Sequence, residues 1–153
     1  MAPRSPAEWL KFRRGAAGLD HHELARKSGV SHAIIAAIEA GDCQPSAAVW
    51  AGLREALALR PSVLLHHAEA EVQEIVASYG CDRLRVFGSV ARGTDDLHSD
   101  IDLVLRFPES ADIVTLLEME ERLSDLLTVS IDIVAEPIPF ETVQAPLRKV
   151  VVE

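Results

Sequence analysis

The sequence is organised around Phe87-Gly88-Ser89-Val90-Ala91-Arg92-Gly93 and the following Ser99-Asp100-Ile101-Asp102-Leu103-Val104-Leu105. The second segment carries the apolar and β-branched residues of a strand. Residues two apart on a strand point to the same side, about 7 Å from each other, so Asp100 and Asp102 share one face. Two like charges on one face repel each other, and a divalent cation with oxygen ligands relieves that repulsion. The pair therefore predicts a metal site.

A second polar feature lies just upstream of the carboxylate pair. Leu84 to Phe87 is typical of another short strand, and this strand ends on Gly88-Ser89. A glycine lets the backbone approach a ligand closely, and a serine hydroxyl and nearby amides donate hydrogen bonds to phosphate oxygens. A phosphate cradle ten residues before a carboxylate pair describes a phosphoryl-transfer site.

A third strand is predicted from Val129 to Val134. It alternates so that Asp132 points away from the side that carries its isoleucines. An isolated acid in an apolar strand has a high desolvation cost without a partner. A metal site shared with Asp100 and Asp102 removes that cost, and an edge-strand position facing water is the alternative.

The spacing Gly88-Ser89, ten residues, Asp100-x-Asp102 resembles the signature of the minimal nucleotidyltransferases, relatives of DNA polymerase beta. Ala91-Arg92-Gly93 and Ser99 also fit this signature. The resemblance implies an enzyme that uses ATP as substrate and Mg²⁺ as cofactor, with two ions possible.

The same resemblance implies roles for individual residues. Asp100, Asp102 and Asp132 are expected to be the catalytic and metal-binding carboxylates. Gly88 and Ser89 are expected to bind the β- and γ-phosphates of the nucleotide. Arg92 is a candidate for a further phosphate contact, with a surface ion pair as the alternative. Asp95 and Asp96, in the connection between the two halves of the signature, are expected to be solvated.

Composition describes a soluble globular protein. The 153 residues are 48% hydrophobic and 25% charged, and no run approaches the roughly 20 apolar residues of a membrane span. The N-terminus has no segment of signal-peptide type, so we expect a cytoplasmic protein with no membrane partner. Cys43 and Cys81 are far apart in sequence and lack nearby ligand-type clusters, so two reduced thiols are expected.

Charge divides the chain into two unlike parts. Residues 1–62 contain eight Lys and Arg against six Asp and Glu, whereas residues 63–153 contain seven against eighteen. Affinity for nucleic acid comes mostly from neutralisation of phosphates by Lys and Arg. Any DNA is therefore expected to bind to the N-terminal part.

Four short helices are predicted before residue 61. A capping box starts a helix at Asp20, Ser31 caps the next, and Ser46 starts a fourth. Gly18-Leu19, Glu23-Leu24-Ala25, Gly29-Val30-Ser31, Ile38-Glu39-Ala40-Gly41 and Pro45-Ser46 resemble the helix-turn-helix of the phage-repressor-like (XRE) family.

In that family the third helix enters the major groove of DNA. The residues expected here to contact DNA lie at the start of the third helix: Ser31, His32, Ala33, Ala36 and Ala37. Domains of this type dimerise to bind two half-sites, so a homodimer on operator DNA is expected. A helical module used for dimerisation or partner docking is the alternative.

The predicted fold is an all-α helix-turn-helix domain over residues 1–60, followed by an α/β (α+β) nucleotidyltransferase domain over 63–153 with a small mixed sheet. The second domain is expected to begin with one helix from Val63 to Tyr79. A later helix is expected to run to Leu127, with Ile113 and Leu117 among its inward residues and Glu118, Glu120 and Glu121 on its solvated face. The tail from Pro137 onward is expected to form a short helix and a closing segment.

The resemblances together imply an antitoxin of a type VII-like toxin-antitoxin pair. Such an antitoxin transfers AMP from ATP to a tyrosine of a HEPN-type toxin, and its helix-turn-helix represses its own operon. A binding antitoxin and repressor without catalysis is one alternative. A nucleotidyltransferase that modifies a small molecule such as an aminoglycoside is another, although the small second domain shows no substrate-binding extension.

Overall fold

The computed structural model describes residues 4–136 and the backbone of Arg148–Lys149. The chain divides into two compact units, Ala2–Leu59 and the part from Arg60 onward. Among the residues that the structure describes, no helix is both long enough and apolar enough to cross a membrane.

The N-terminal unit consists of four helices, each started by a side chain that accepts a hydrogen bond from the backbone N–H three residues later. The capping residues are Ser5, Asp20, Ser31 and Ser46. The last three were predicted from the sequence, and Pro6 occupies the first position of the first helix. The helices are α1 (Pro6–Ala17), α2 (His21–Ser28), α3 (His32–Glu39) and α4 (Ala47–Ala56).

Side chains from all four helices meet in a single apolar core. Leu10, Leu24, Ile35, Ile38 and Leu53 are each at most 1% exposed. Gly29, in the left-handed region at φ 75°, ends α2 and lets the chain turn directly into α3. This arrangement is the helix-turn-helix that the sequence predicts.

An ion pair joins the first and third helices of this unit. The Arg14 guanidinium donates from Nε to Glu39 Oε2 at 2.7 Å and from Nη2 to Oε1 at 2.8 Å. Glu39 is nearly buried, and His21 Nε2 lies 3.3 Å from its Oε2. Burial acts to raise the pKa of Glu39, but the hydrogen bonds and charge of Arg14, with the charge of His21, outweigh it and lower the pKa.

We expect Glu39→Gln to lower the stability of this unit by about 1.5–3 kcal/mol, because charge-assisted hydrogen bonds are lost and Arg14 keeps an unpaired charge. Since the folded-state pKa of Glu39 is lowered, its contribution is complete above the ordinary value of 4.5 and is lost as pH falls below it. The two tryptophans, Trp9 and Trp50, both lie in this unit, so tryptophan fluorescence during urea unfolding measures it selectively. Glu55→Gln, at an exposed position, is the control. Equal urea midpoints for both variants would contradict the expectation.

The second unit contains a small mixed sheet in the order β3-β2-β1-β4. Strand β1 is antiparallel to β2 and to β4, whereas β2 and β3 are parallel. The predicted mixed sheet is thereby confirmed. The elements are α5 (Pro61–His67), α6 (Glu69–Ser78), β1 (Asp82–Phe87), α7 (Gly88–Arg92), β2 (Ile101–Arg106), α8 (Ile113–Leu127), β3 (Ile131–Ala135) and β4 (Arg148–Lys149).

The expectation of a single helix from Val63 to Tyr79 was wrong. The backbone leaves helical geometry at Ala68, with φ −112° and ψ 21°, so two helices stand where one was predicted. Ala68 is only 1% exposed, and its small side chain lets the chain bend while it remains in the core. No proline or glycine marks the bend in the sequence.

The buried face of α8 also differs from the prediction. Met119, Leu123 and Leu127 are fully buried, whereas Ile113 is 66% exposed and Leu117 55% exposed. At about 100° per residue, Leu117 lies about 200° around the helix from Met119, on its opposite side. Glu120 was wrongly placed on a solvated face, since its carboxylate accepts a hydrogen bond from the backbone of β3.

The predicted helix and closing segment of the tail lie largely outside the described residues. The two described residues there, Arg148 and Lys149, form a short strand rather than a helix and pair with Val86 and Arg85 of β1.

Candidate active site

The central strand β2 has one wholly apolar face, and its other face carries Asp102 near the start of the strand and the buried Val104 after it. Ile101, Leu103 and Leu105 are completely buried on one face. Asp102 lies on the other face and is half-buried, and Asp100 is exposed immediately before the strand. The strand thus holds its carboxylates on a rigid element whose apolar side is anchored in the core.

Strand register brings the third carboxylate beside the second. Asp102 and Asp132 are direct partners in the parallel pairing of β2 with β3, so their side chains lie on the same face of the sheet. Asp132 is exposed, while its neighbours Ile131 and Ile133 are buried. Alternation predicted that Asp132 points away from the isoleucines, and the family resemblance predicted its place beside Asp100 and Asp102. The pairing puts it next to Asp102, on a strand that is also at the edge of the described sheet.

Gly88 contacts the same carboxylate from the other side. Phe87 pairs with Asp102 across β1 and β2, so the chain turns into α7 directly beside that side chain. Gly88 has φ 73°, and a Cβ at this position would lie 2.5 Å from Asp102 Oδ2. The left-handed backbone conformation therefore favours glycine, and a larger residue would displace the Asp102 carboxylate. The predicted signature loop is in part the short helix α7.

The electrostatics of Asp102 connect four of the predicted site residues. Burial raises the pKa of Asp102, the negative charges of Asp132 and Asp100 raise it further, and Arg92 acts in the opposite direction. The three carboxylates and the guanidinium therefore lie within electrostatic range of one another. An anionic cluster of this kind attracts a cation.

The chemistry of this cluster fits a divalent metal ion. Its donors are carboxylate oxygens, which Mg²⁺ prefers. Within residues 4–136, no three His, Cys, Asp or Glu side chains lie close enough together to form a complete metal site. The fit to a metal ion therefore depends on the register of Asp102 with Asp132 and on the like charges around Asp102.

The remaining predicted nucleotide contacts lie on α7. The backbone carbonyl of Ser89 accepts a hydrogen bond of 2.9 Å from Thr94 N, which closes the loop after the helix. Arg92 is exposed in the last turn of α7. Both residues thus stand on the short segment that begins beside Asp102.

Asp95 is buried, contrary to the expectation of a solvated loop carboxylate. Its Oδ1 accepts a hydrogen bond of 2.6 Å from Arg60 Nη2, and its Oδ2 accepts one of 2.9 Å from Ser62 N. Arg60 Nη2 also donates to the carbonyl of Gly93 at 3.3 Å. These bonds fix the connection between α7 and the Asp100-Asp102 pair to the start of α5. Asp96, in contrast, is exposed as expected.

Removing either partner of this buried ion pair is expected to destabilise the second unit unequally. Asp95 has a side chain with no exposed surface, whereas that of Arg60 is 46% exposed. Arg60→Met leaves a buried carboxylate that keeps the hydrogen bond from Ser62 N but has lost its counter-charge, and is expected to cost about 3–5 kcal/mol. Asp95→Asn leaves an arginine that reaches water and is expected to cost about 1–3 kcal/mol. Chemical denaturation of both variants measures the difference, and a larger loss for Asp95→Asn would contradict this account.

The pH dependence of this pair follows from the pKa of Asp95. Burial raises that pKa, but the hydrogen bonds from Arg60 and Ser62 outweigh burial and lower it below the ordinary value of 3.8. The stabilisation is therefore complete above that value and is lost as pH falls below it.

The residues predicted to contact DNA lie at the start of α3. Ser31, His32 and Ala33 are exposed, whereas Ala36 and Ala37 are half-buried. The Ser31 hydroxyl accepts a hydrogen bond of 3.3 Å from Ile34 N, so it also caps the helix. The His32 ring lies 4.3 Å from that of His22, centroid to centroid.

Two family models match this chain. The nucleotidyltransferase domain model matches residues 70–153, just over half of the chain, and the helix-turn-helix domain model matches residues 7–68. Both resemblances inferred from the sequence are thereby confirmed. No solved structure matches the chain significantly.

Curated relatives match the chain over part of its length. "Putative protein adenylyltransferase MJ1215" of Methanocaldococcus jannaschii is 31% identical over 64 residues, which are 42% of this chain and 74% of that protein. "Putative protein adenylyltransferase MJ0128" of the same organism is 39% identical over 56 residues, 37% of this chain and 57% of that protein. "Protein adenylyltransferase MntA" of Thermococcus cleftensis is 34% identical over 65 residues, 42% of this chain and 66% of that protein.

Proposed function

This chain belongs to the nucleotidyltransferase family, whose members generally use a nucleoside triphosphate and a divalent metal ion, and from that premise we propose that it transfers AMP from ATP to a hydroxyl of a partner protein with Mg²⁺ as the ion. The observation that supports this proposal best is the register of Asp102 against Asp132 beside Gly88. It places Asp132 of β3 and the turn at Gly88 on either side of Asp102 of β2.

The reaction forms one bond and breaks another at the α-phosphorus of ATP. The acceptor hydroxyl oxygen bonds to the α-phosphorus, and the bond from that phosphorus to the oxygen bridging the α- and β-phosphates breaks, so pyrophosphate leaves. The hydroxyl proton passes to Asp132, whose exposed carboxylate faces the site, and from there to water. Asp100, Asp102 and Asp132 would hold one or two Mg²⁺ ions, which when bound supply positive charge to the attacking and leaving oxygens.

The nucleotide phosphates are bound by the segment that starts α7. Gly88 allows close approach of the β- and γ-phosphates because it has no Cβ, and the Ser89 hydroxyl donates to one of their oxygens. Arg92, exposed in the last turn of α7, adds positive charge to the same region. The rest of the unit is acidic and repels a triphosphate, so the positive charge of Arg92 favours binding of the triphosphate at α7.

The acceptor that we propose is a HEPN-type toxin, with this chain as the antitoxin of a type VII-like pair. All three relatives above are named as protein adenylyltransferases, two of them with the word "putative", which supports a protein rather than a small molecule as acceptor. The helix-turn-helix supports an antitoxin that also represses its own operon.

Labelling with two forms of ATP tests the proposed reaction. The protein is incubated with Mg²⁺ and the product of the neighbouring gene, once with ATP labelled in the α-phosphate and once with ATP labelled in the γ-phosphate. Transfer of AMP predicts label on the neighbour from the first form only. A stable complex that neutralises the toxin without any label would favour the binding antitoxin, and label on a small hydroxyl compound alone would favour the small-molecule enzyme.

We also propose that α3 binds operator DNA in a homodimer. The exposed start of α3 supports this, because Ser31, His32 and Ala33 lie where this family contacts base edges. His32 carries the only long polar side chain among the five predicted contacts, so direct base contact rests mainly on it.

We expect His32→Ala to weaken binding to the promoter of its own operon about tenfold, a loss of the size that one base contact contributes. His66→Ala removes an exposed histidine outside this unit and serves as the control. Gel-shift titration at fixed salt measures both variants. Promoter binding that is equally strong in wild type and His32→Ala would contradict base contact by α3.

A further inference from the structure

Strand β3 carries Asp132 at the edge of the sheet. Among the strands that the structure describes, it pairs with β2 alone, through bonds such as Ile101 N to Ser130 O and Glu136 N to Leu105 O. In a parallel ladder, alternate residues direct their N–H groups away from the partner strand. The N–H groups of Ile131 and Ile133, on either side of Asp132, therefore point outward.

Both outward N–H groups are bound by side chains of α8. Ile133 N donates to Glu120 Oε2 at 2.8 Å, and Ile131 N donates to Ser124 Oγ at 3.2 Å. Glu120 and Ser124 are four residues apart, a rise of about 6 Å along the helix, and two residues along a strand span about 6.6 Å. One turn of helix thus supplies two acceptors at the spacing of two strand donors. We refer to Glu120 and Ser124 as the α8 clamp.

The α8 clamp stands on a well-anchored helix. Met119, Leu123 and Leu127 of the same helix are completely buried. Side chains on a packed helix hold a fixed position, so the two hydrogen bonds of the clamp fix the position of β3 relative to the core. The bond from Ile133 N to a carboxylate is also stronger than one between neutral groups.

The clamp opposes a specific force at the site. Asp132 and Asp102 are register partners, and their like charges push an edge strand away from its neighbour. On its outer side, β3 is bonded within the described residues by the α8 clamp at both positions that flank Asp132. Loss of the clamp lets the strand shift and moves Asp132 relative to Asp102.

From this geometry we propose that Glu120 and Ser124 are positioning residues, which hold Asp132 where it shares a divalent ion with Asp102. The inference rests on the proposed function for that ion. It assigns a role to two residues that touch neither substrate nor ion and act only through the backbone of β3.

Three variants test the clamp by two readouts. Glu120→Ala removes the acceptor, Glu120→Gln retains an acceptor oxygen, and Glu121→Ala removes an exposed carboxylate from the same helix as the control. Hydrogen exchange of the Ile131 and Ile133 amides measures the clamp itself. Binding of Mn²⁺, followed by its electron paramagnetic resonance signal, measures the ion site.

For Glu120→Ala we expect faster exchange at Ile133 and Mn²⁺ affinity lowered about 10–100-fold, as for other residues that orient metal ligands. Glu120→Gln is expected to retain most of the affinity, and Glu121→Ala all of it. If Glu120→Ala fails to fold, Ser124→Ala makes the same test at the Ile131 amide. Wild-type exchange and wild-type Mn²⁺ affinity in Glu120→Ala would overturn the proposal.

The same measurements distinguish failure of the α8 clamp from failure of the proposed AMP-transfer reaction. AMP transfer that is undiminished in Glu120→Ala would support the reaction and overturn the clamp. A wild-type protein that binds Mn²⁺ but transfers no AMP, with binding weakened in Glu120→Ala, would overturn the reaction and support the clamp.

Discussion

Replacing Gly88 by alanine is expected to reduce AMP transfer at least about 100-fold while leaving the protein folded. The new Cβ would lie 2.5 Å from Asp102 Oδ2, so the carboxylate must rotate away from its position. A displacement of about 1 Å at a reacting centre costs on the order of 100-fold in rate. The fold survives because a carboxylate is the flexible end of a side chain and moves more cheaply than backbone.

Gly93→Ala provides a closely matched control for Gly88→Ala. Gly93 ends the same short helix with φ 74°, nearly the φ 73° of Gly88, and a Cβ there meets nothing within 4 Å. Both variants are expected to lose about 1–2 kcal/mol of stability from the left-handed backbone. Only Gly88→Ala is expected to lose activity as well as stability. Equal rates of AMP transfer for the two variants would therefore contradict the role given to Gly88.

Replacing Asp102 by asparagine is expected to slow AMP transfer greatly and to raise the melting temperature at neutral pH. A site carboxylate supplies several kcal/mol of transition-state stabilisation, so the rate falls on the order of 1000-fold. Stability rises because ionised Asp102 is half-buried beside Asp132 and Asp100. The expected gain is on the order of a few degrees in Tm.

The pH dependence of that gain has a definite sign. Burial and the two neighbouring carboxylates raise the pKa of Asp102 in the folded state above its ordinary value of 3.8. Wild-type protein therefore loses stability relative to the variant as pH rises through the folded-state pKa, and the difference vanishes below the ordinary value. Thermal melts from acidic to neutral pH measure the difference, with Glu121→Gln as the exposed control.

Mg²⁺ is expected to raise the melting temperature of wild type more than that of Asp102→Asn. An ion that binds the folded state raises the melting temperature of wild type, whereas Asp102→Asn, which lacks a ligand, gains little. A variant less stable than wild type in the absence of metal would contradict the electrostatic account of this carboxylate.

Much of the site was predictable because its signals come from residues that are close together in the sequence. The alternation of Ile101, Asp102 and Leu103 gives the face of the strand, and the capping residues Asp20 and Ser31 give the starts of two helices in the helix-turn-helix. Each of these signals depends on neighbours a few residues away. The family signature then supplied the connection between Gly88-Ser89 and Asp100-x-Asp102.

The features that sequence reasoning missed depend on contacts between distant residues. Asp95 resembles any loop carboxylate until Arg60, 35 residues earlier, is found to bind it. Glu120 belongs by composition to an acidic helix face, and only strand register shows that the edge N–H of Ile133 lies beside it. The bend at Ala68 is likewise set by packing rather than by a local signal.

The central claim is that Asp100, Asp102 and Asp132 form one site for transfer of AMP. The most direct measurement is the intact mass of the proposed partner, the product of the neighbouring gene. It is incubated with Mg²⁺-ATP and either wild type, Asp100→Ala/Asp102→Ala or the exposed-carboxylate control Glu118→Ala/Glu121→Ala. The account predicts that the toxin gains the mass of AMP with wild type and with the control, and gains nothing with the double aspartate variant. An equal gain of mass with the double aspartate variant would contradict it.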